Sequence, residues 1–432
     1  MMSKKIISII AITIMITLLA GVSSVLAADE VTISFTWWGD TARHEIYNSI
    51  ADMFEEEYPN IKVDRQPGSW TQYWDKLATT VASGNPPDVV GMHPRYAADY
   101  IPRGAILDLT PYIESGVLAM YNIPKAVADT GVVNGKQYMV AQGVTMTGYI
   151  YNTATLDELG VSYPEMDWTY EDFAEKVVES TEAAQAKGIE MWGSADDSSN
   201  FIPQFAYFAR SKGETAYTDE GKLGFTEETV VEWFYYWKEL RDKGAIPDPA
   251  TTVEYTGLPL EQNLFNTGKI AISTIPANQL WLFQEQVKNS GKLNMIRLPH
   301  LKDGKPGEYI EGAQLAVTSG SKHPEAAAKF ISFFYNDKEA QELFKLEQGV
   351  PPTTTAQEVI ADILTEPDQK TTEFVAYALG FASPAPNPPT GSTEVIAYFE
   401  ETAQAVAYGY LTPEAGAADF MQTANDILSM SN

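Results

Sequence analysis

Apolar residues alternate with strand period along Val31-Thr32-Ile33-Ser34-Phe35, then recur at helical spacing at Ile46, Tyr47, Ile50, Met53 and Phe54. Pro59-Asn60 breaks that helix, and Ile61-Lys62-Val63 reads as a second strand. Trp70, Tyr73, Trp74, Leu77 and Val81 mark another helix, with Gly84 placed to end it. Asp88-Val89-Val90 is a third strand. Strand–helix–strand–helix–strand predicts a parallel sheet with helices on its faces.

Further along, two short extended pieces fall at 137–140 and 148–151, and Asn152 can cap a short helix ending near Gly160. Thr169-Tyr170-Glu171-Asp172 opens a helix that runs to Lys187-Gly188. Thr226 opens another, carrying Val230, Phe234 and Trp237 as core positions. Strand character returns at 270–273, 295–298 and 315–317. From Pro324 the chain reads as largely helical to its end, and the proline-rich stretch 383–391 reads as a stiff connector. This alternation predicts two lobes, crossed between more than once, that hinge about the crossovers.

Ligands of such sheets bind at the carboxyl ends of the strands. Trp37-Trp38-Gly39-Asp40 ends the first strand, and Asp88-Val89-Val90-Gly91-Met92-His93-Pro94-Arg95 covers the third and its loop. Indole faces stack on ring carbons, while carboxylate and guanidinium groups saturate hydroxyls, so both loops suit a sugar. Each indole reads equally well as core. Adjacent residues of a strand point to opposite faces. The expectation is therefore Trp37 in the core and Trp38 with Asp40 toward ligand.

Lys4 and Lys5 precede an apolar run from Ile6 to Ala20, and small residues follow to Ala28. This is the layout of an export signal, with cleavage expected after Ala27. The run is shorter than the ~20 residues of a spanning helix. The chain has no cysteine, which leaves no disulfide and no thiol for an N-terminal lipid. A soluble, unlipidated, periplasmic or secreted protein is expected. Some 400 mature residues exceed one compact core. The net charge of −29 argues against nucleic acid and anionic membrane surfaces, and disfavours a polyanionic ligand.

Catalytic signatures are missing from the sequence: it has no G-x-S-x-G, no H-E-x-x-H and no complete phosphate loop. His44, His93, His300 and His323 are too scattered to suggest a metal cluster. No cofactor, no metal and no catalysis are expected, although glycosidase carboxylates carry no local motif.

In order, the segments resemble the extracellular solute-binding proteins of bacterial import transporters, family 1, the maltose and oligosaccharide type. Four stretches carry the resemblance: 36–40; 82–90 with Arg95 and 104–109; 149–152 with Gly160 and 168–173; and 265–272 with 321–327. It implies an α/β fold with two lobes, parallel-type sheets flanked by helices, and multiple hinge crossovers. The lobes it implies are 28–145 with 269–315, and 146–268 with 316–432. It places Trp37, Trp38, Asp40, His93 and Arg95 on the first-lobe side of the cleft. Thr145 falls near the hinge, Trp281 after a strand, and Glu311-Gly312 before the second hinge strand, with Asn200 and Tyr255 from the second lobe. Pro94 replaces an acid found in maltodextrin binders, and no tryptophan stands between Gly391 and Tyr410, so the sugar need not be maltodextrin.

The function implied is capture of a sugar or oligosaccharide for the membrane permease of an ABC importer, by a monomer. The alternatives are a carrier for a polyol or glycerol-phosphate-type ligand, a secreted carbohydrate-active enzyme, or a receptor that presents its sugar to a chemosensor.

Overall fold

A computed structural model describes residues 30–287, 291–385 and 388–431. The export signal read at 1–27 lies outside the described residues. The chain opens with β1 (Val31–Trp38), α1 (Thr41–Glu57), β2 (Ile61–Gly68), α2 (Trp70–Ala82), β3 (Val89–Met92) and α3 (Pro94–Tyr100). Then come β4 (Met139–Ala141), β5 (Thr147–Asn152), α4 (Tyr170–Ala186), β6 (Trp192–Ser194) and α5 (Glu227–Asp242). The remaining main elements are β7 (Ile270–Pro276), β8 (Leu293–Ile296), β9 (Gln314–Val317), α6 (Pro324–Asn336), α7 (Lys338–Phe344), α8 (Ser392–Ala407) and α9 (Pro413–Ser431).

Local chemistry sets these boundaries. Asp40 caps α1 by accepting from the Arg43 amide at 3.0 Å. Thr169 and Asp172 form a reciprocal capping box on α4, as their spacing predicts. Asn152 caps the short helix that Gly160 ends in left-handed conformation. In α5 the buried residues Val230, Trp233, Phe234, Trp237 and Leu240 lie on one helical stripe.

Two sheets result. The first has the order β2-β1-β3-β9-β4, with β1, β2 and β3 parallel and β9 antiparallel to both of its neighbours. The second has the order β8-β5-β7-β6, in which only β7 and β6 run parallel. Each sheet has its own aromatic core. Phe35, Trp37, Tyr47, Phe54, Phe330, Phe334 and Phe344 fill the first. Tyr149, Phe173, Phe205, Trp233, Trp237, Phe399 and Phe420 fill much of the second.

These pairings correct the lobe boundaries expected from sequence. Residues 269–315 do not belong to the first lobe, because β7 and β8 both hydrogen-bond to β5 in the second sheet. Nor is 316–432 wholly second-lobe, because β9 pairs with β3 and α6 and α7 bury Phe330, Phe334 and Phe344 on the first core. Apolar periodicity identifies a strand or helix but not the edge it joins.

The lobes are joined by three segments, at 142–146, at 310–314 and at 345–350, the last of them rich in turns. The first and second pair through Thr145 and Glu311, whose backbones exchange hydrogen bonds of 3.0 and 2.9 Å. The first and third pair through Val144 and Val350, at 2.7 and 2.8 Å. Glycine is required where the segments cross. A Cβ on Gly312, whose φ is 132°, would sit 2.2 Å from the Gly143 carbonyl oxygen. One on Gly143 would sit 2.4 Å from the Gln348 carbonyl oxygen.

Candidate functional site

The pairing register shows where the cleft lies. The chain leaves the first sheet at Ala141 and returns to it at Gln314, which pairs with Met92 at the carboxyl end of β3. It enters the second sheet at Thr147, opposite Pro276 at the carboxyl end of β7. The carboxyl edges of the parallel strands in both sheets therefore meet at the hinge. The loops that follow those strands line the space between the lobes.

On the first edge the pleat argument holds in part. Trp37 and Trp38 face opposite sides of the sheet, but both are buried. Trp37 stacks on Tyr47 at 5.2 Å and donates its indole N–H to His44 Nδ1 at 3.2 Å. Trp38 packs over Gly91 and beneath α2, with Trp70, Tyr73 and Trp74 at 5.1, 5.2 and 5.5 Å. The expectation that Trp38 offers its face to ligand is thus corrected, because α2 begins directly over it. The accessible indole of this edge is Trp70, 40% exposed, with its ring perpendicular to Trp38 and to His93, the latter at 5.8 Å. From sequence Trp70 reads as one of a helical apolar series; its place at the first turn of α2, directly after β2, is the signal that sets it apart.

Asp40 does not share a strand face with Trp38, because β1 ends at Trp38 and Asp40 serves as the α1 cap. It remains exposed at the same edge. Arg95 is the second residue of α3, beside His93.

On the second edge the polar groups fall into a row. Thr147 donates to Glu311 Oε2 at 3.3 Å. One residue pair deeper along the same face, Tyr149 and Thr274 donate to Asp197 Oδ2 at 3.3 and 3.2 Å, and Gln204 adds an N–H at 3.1 Å. Burial, with Asp196 beside it, pushes the Asp197 carboxyl up to about 7. Asp196 is paired with Arg241, both side chains buried. Two adjacent aspartates carry no sign of this in the sequence; the β6–β7 pairing brings Asp197 to Tyr149 and Thr274.

Thr145 bonds Asn278 at 3.3 Å, tying the hinge to the segment after β7. Trp281, three residues on, is 40% exposed. Glu311 is brought to the row by its hinge segment, whereas Gly312 contributes backbone alone. Asn200 donates its backbone N–H to the Asp197 backbone carbonyl at 3.0 Å, close behind the row. Tyr255 packs on the apolar cluster around Phe265 and Phe283 and is not brought into the row. Among the described residues no group of three or more His, Cys, Asp or Glu side chains is arranged to hold a metal ion. None of the described helices is long and apolar enough to cross a membrane.

Two lobes with strand ends facing across a three-segment hinge define a cleft-binding protein. A family model described as bacterial extracellular solute-binding protein matches residues 49–372. The chain belongs to that family. It is 29% identical to an extracellular solute-binding protein family 1 structure from Alicyclobacillus acidocaldarius, with a TM-score of 0.77 over 93% of this chain and 99% of that one. It is 24% identical over 319 residues to the diacetylchitobiose binding protein DasA of Streptomyces coelicolor, covering 70% of this chain and 68% of that protein. A periplasmic oligogalacturonide binding protein from Yersinia enterocolitica shares the fold, with a TM-score of 0.77 and 21% identity over 93% of this chain and 99% of that one.

Proposed function

We propose that this chain is the substrate-binding component of an ABC importer, capturing a sugar or oligosaccharide between its lobes and delivering it to membrane permease subunits. One observation carries the reading: an accessible indole, Trp70, stands on the first carboxyl edge, and a row of hydroxyls and carboxylates stands on the second. Ring carbons stack on the indole while ring hydroxyls bond the row. Rotation about 142–146, 310–314 and 345–350 brings the edges together and excludes water from those bonds. Two of the relatives named above bind carbohydrates, which supports the ligand class. The protein acts outside the cytoplasm as a monomer and returns its ligand unchanged.

A thermal-shift screen of the mature chain against mono- and oligosaccharides tests this, with chromatography of the recovered sugar. A ligand at a hundred times its Kd stabilises by about 2.7 kcal/mol. A panel without a shift, or a sugar recovered cleaved, refutes the reading.

A further inference from the structure

Resting on that reading, we propose that Asp197 is a ligand-binding residue whose free oxygen accepts a sugar hydroxyl, and that the cleft selects an uncharged carbohydrate over a uronate. Asp197 Oδ2 takes all three bonds, from Tyr149 on β5, Gln204 on the segment 201–205 and Thr274 on β7. Among the described residues Oδ1 makes no hydrogen bond. Donors from three separate elements fix the carboxyl plane, so the free oxygen has one direction to receive from. All three donors are neutral; they hold the group without cancelling its charge.

No cation reaches Asp197 among the described residues. Arg241, on α5, is committed to Asp196 and also donates to Ser198 Oγ at 3.2 Å. The titratable groups that act on it are the Asp196 carboxylate, which raises it, and the Tyr149 hydroxyl and, from α4, the Tyr170 hydroxyl, both kept protonated by burial. The carboxyl's displacement to about 7 is what such an uncompensated site produces. Glu311 adds a second carboxylate one row nearer the hinge. A hydroxyl entering here gives Oδ1 a charge-assisted bond. A ligand carboxylate meets the Asp197 charge in a partly dehydrated space, which disfavours it.

Calorimetry at pH 8 tests this with neutral malto-, cello-, xylo- and chito-oligosaccharides of two to four residues, and with galacturonate oligomers of the same lengths. The wild type is expected to bind a neutral series and to bind galacturonates at least about tenfold more weakly. Asp197→Asn keeps an oxygen toward the three donors and turns an NH₂ outward. It should lose about 10–100-fold for the neutral sugar and narrow the gap to the galacturonate. Asp197→Ser, with urea unfolding of both variants, separates lost binding from lost folding. Galacturonate bound as tightly as the neutral series, or folded variants with unchanged affinity, overturns the inference while leaving the carbohydrate reading intact. Absence of binding by any sugar overturns the carbohydrate reading and this inference with it.

Discussion

Arg43 Nε donates to Glu347 Oε1 at 2.6 Å, so the first turn of α1 is tied to the third hinge segment. The same guanidinium donates to the Trp38 carbonyl at 3.3 Å, at the end of β1. Gly39 makes room for this path: a Cβ there would lie 2.6 Å from Arg43 Cδ. One turn further, Tyr47 accepts from Gln142 of the first hinge segment at 2.8 Å. Thus α1 holds two of the three hinge segments at its amino-terminal half. Both charges are about four-fifths covered, at 19% and 23% exposure, so the pair is worth more than a fully solvated one. In a double-mutant cycle with Arg43→Met and Glu347→Gln, a coupling energy of about 0.5–1.5 kcal/mol is expected by urea unfolding, shrinking at high salt. Additive single losses would show that the contact contributes nothing.

The hinge makes a second demand that can be tested by substitution. Gly312 has a φ of 132° and faces the Gly143 carbonyl, whereas Gly84 has a φ of 76° with open space where its Cβ would be. Gly312→Ala combines backbone strain with a backbone clash and should cost at least about 3 kcal/mol. Gly84→Ala carries only the left-handed strain, about 1 kcal/mol. Thermal melts of both variants check the order. Equal losses would mean that the hinge segments yield freely.

The contrast between Gly84 and Gly312 also marks how far the sequence could be read. Gly84 follows an apolar helical series and is a local stop signal. Gly312 is needed only because another strand crosses over it. The same division runs through the fold. The caps Asp40, Asn152, Thr169 and Thr226 act within three residues of themselves, and all but Asp40 were legible from spacing. That β7 joins β5, and that α6 returns to β1, depends on contacts more than a hundred residues apart, for which hydrophobic period carries no label. The site divides likewise. Strand-end position pointed to the Trp38–Asp40 and His93 loops, but Asp197 needed the β6–β7 register and Trp70 needed the entry angle of α2.

Asp197 gives a pH dependence of definite sign. Its folded pKa of about 7 lies above the ordinary carboxyl value near 4 that the unfolded chain has. Between those values the folded state holds a proton that the unfolded state has lost. The contribution of Asp197 to stability is therefore fully present below about pH 4 and disappears as pH rises through 7. Asp197→Asn removes the ionisation while keeping an acceptor for Tyr149, Gln204 and Thr274. It should be more stable than the wild type at pH 8, by about 2–4 kcal/mol. Urea unfolding of both proteins at pH 5 and pH 8 measures this. A parallel pH dependence in the two would show that Asp197 ionises normally.

Three tryptophans at the first edge separate packing from binding. Trp37 is 1% exposed, stacked on Tyr47 and bonded to His44, so Trp37→Ala should destabilise by roughly 3–5 kcal/mol. Trp38 is 7% exposed beneath α2 and fills the other face of the sheet, so its loss should also fall mainly on stability. Trp70 leaves the outer part of its ring to solvent at the mouth of the cleft, supported from below by Trp38. Trp70→Ala should therefore weaken sugar binding by about 1–3 kcal/mol while costing less stability than either neighbour. Trp70→Phe, which keeps a smaller ring at the same place, should recover part of the affinity. Calorimetric titration with the sugar identified by thermal shift, together with urea unfolding of all four variants, decides between the assignments. If Trp38→Ala loses binding at unchanged stability while Trp70→Ala binds normally, the ligand reaches beneath α2, and the platform is Trp38 after all.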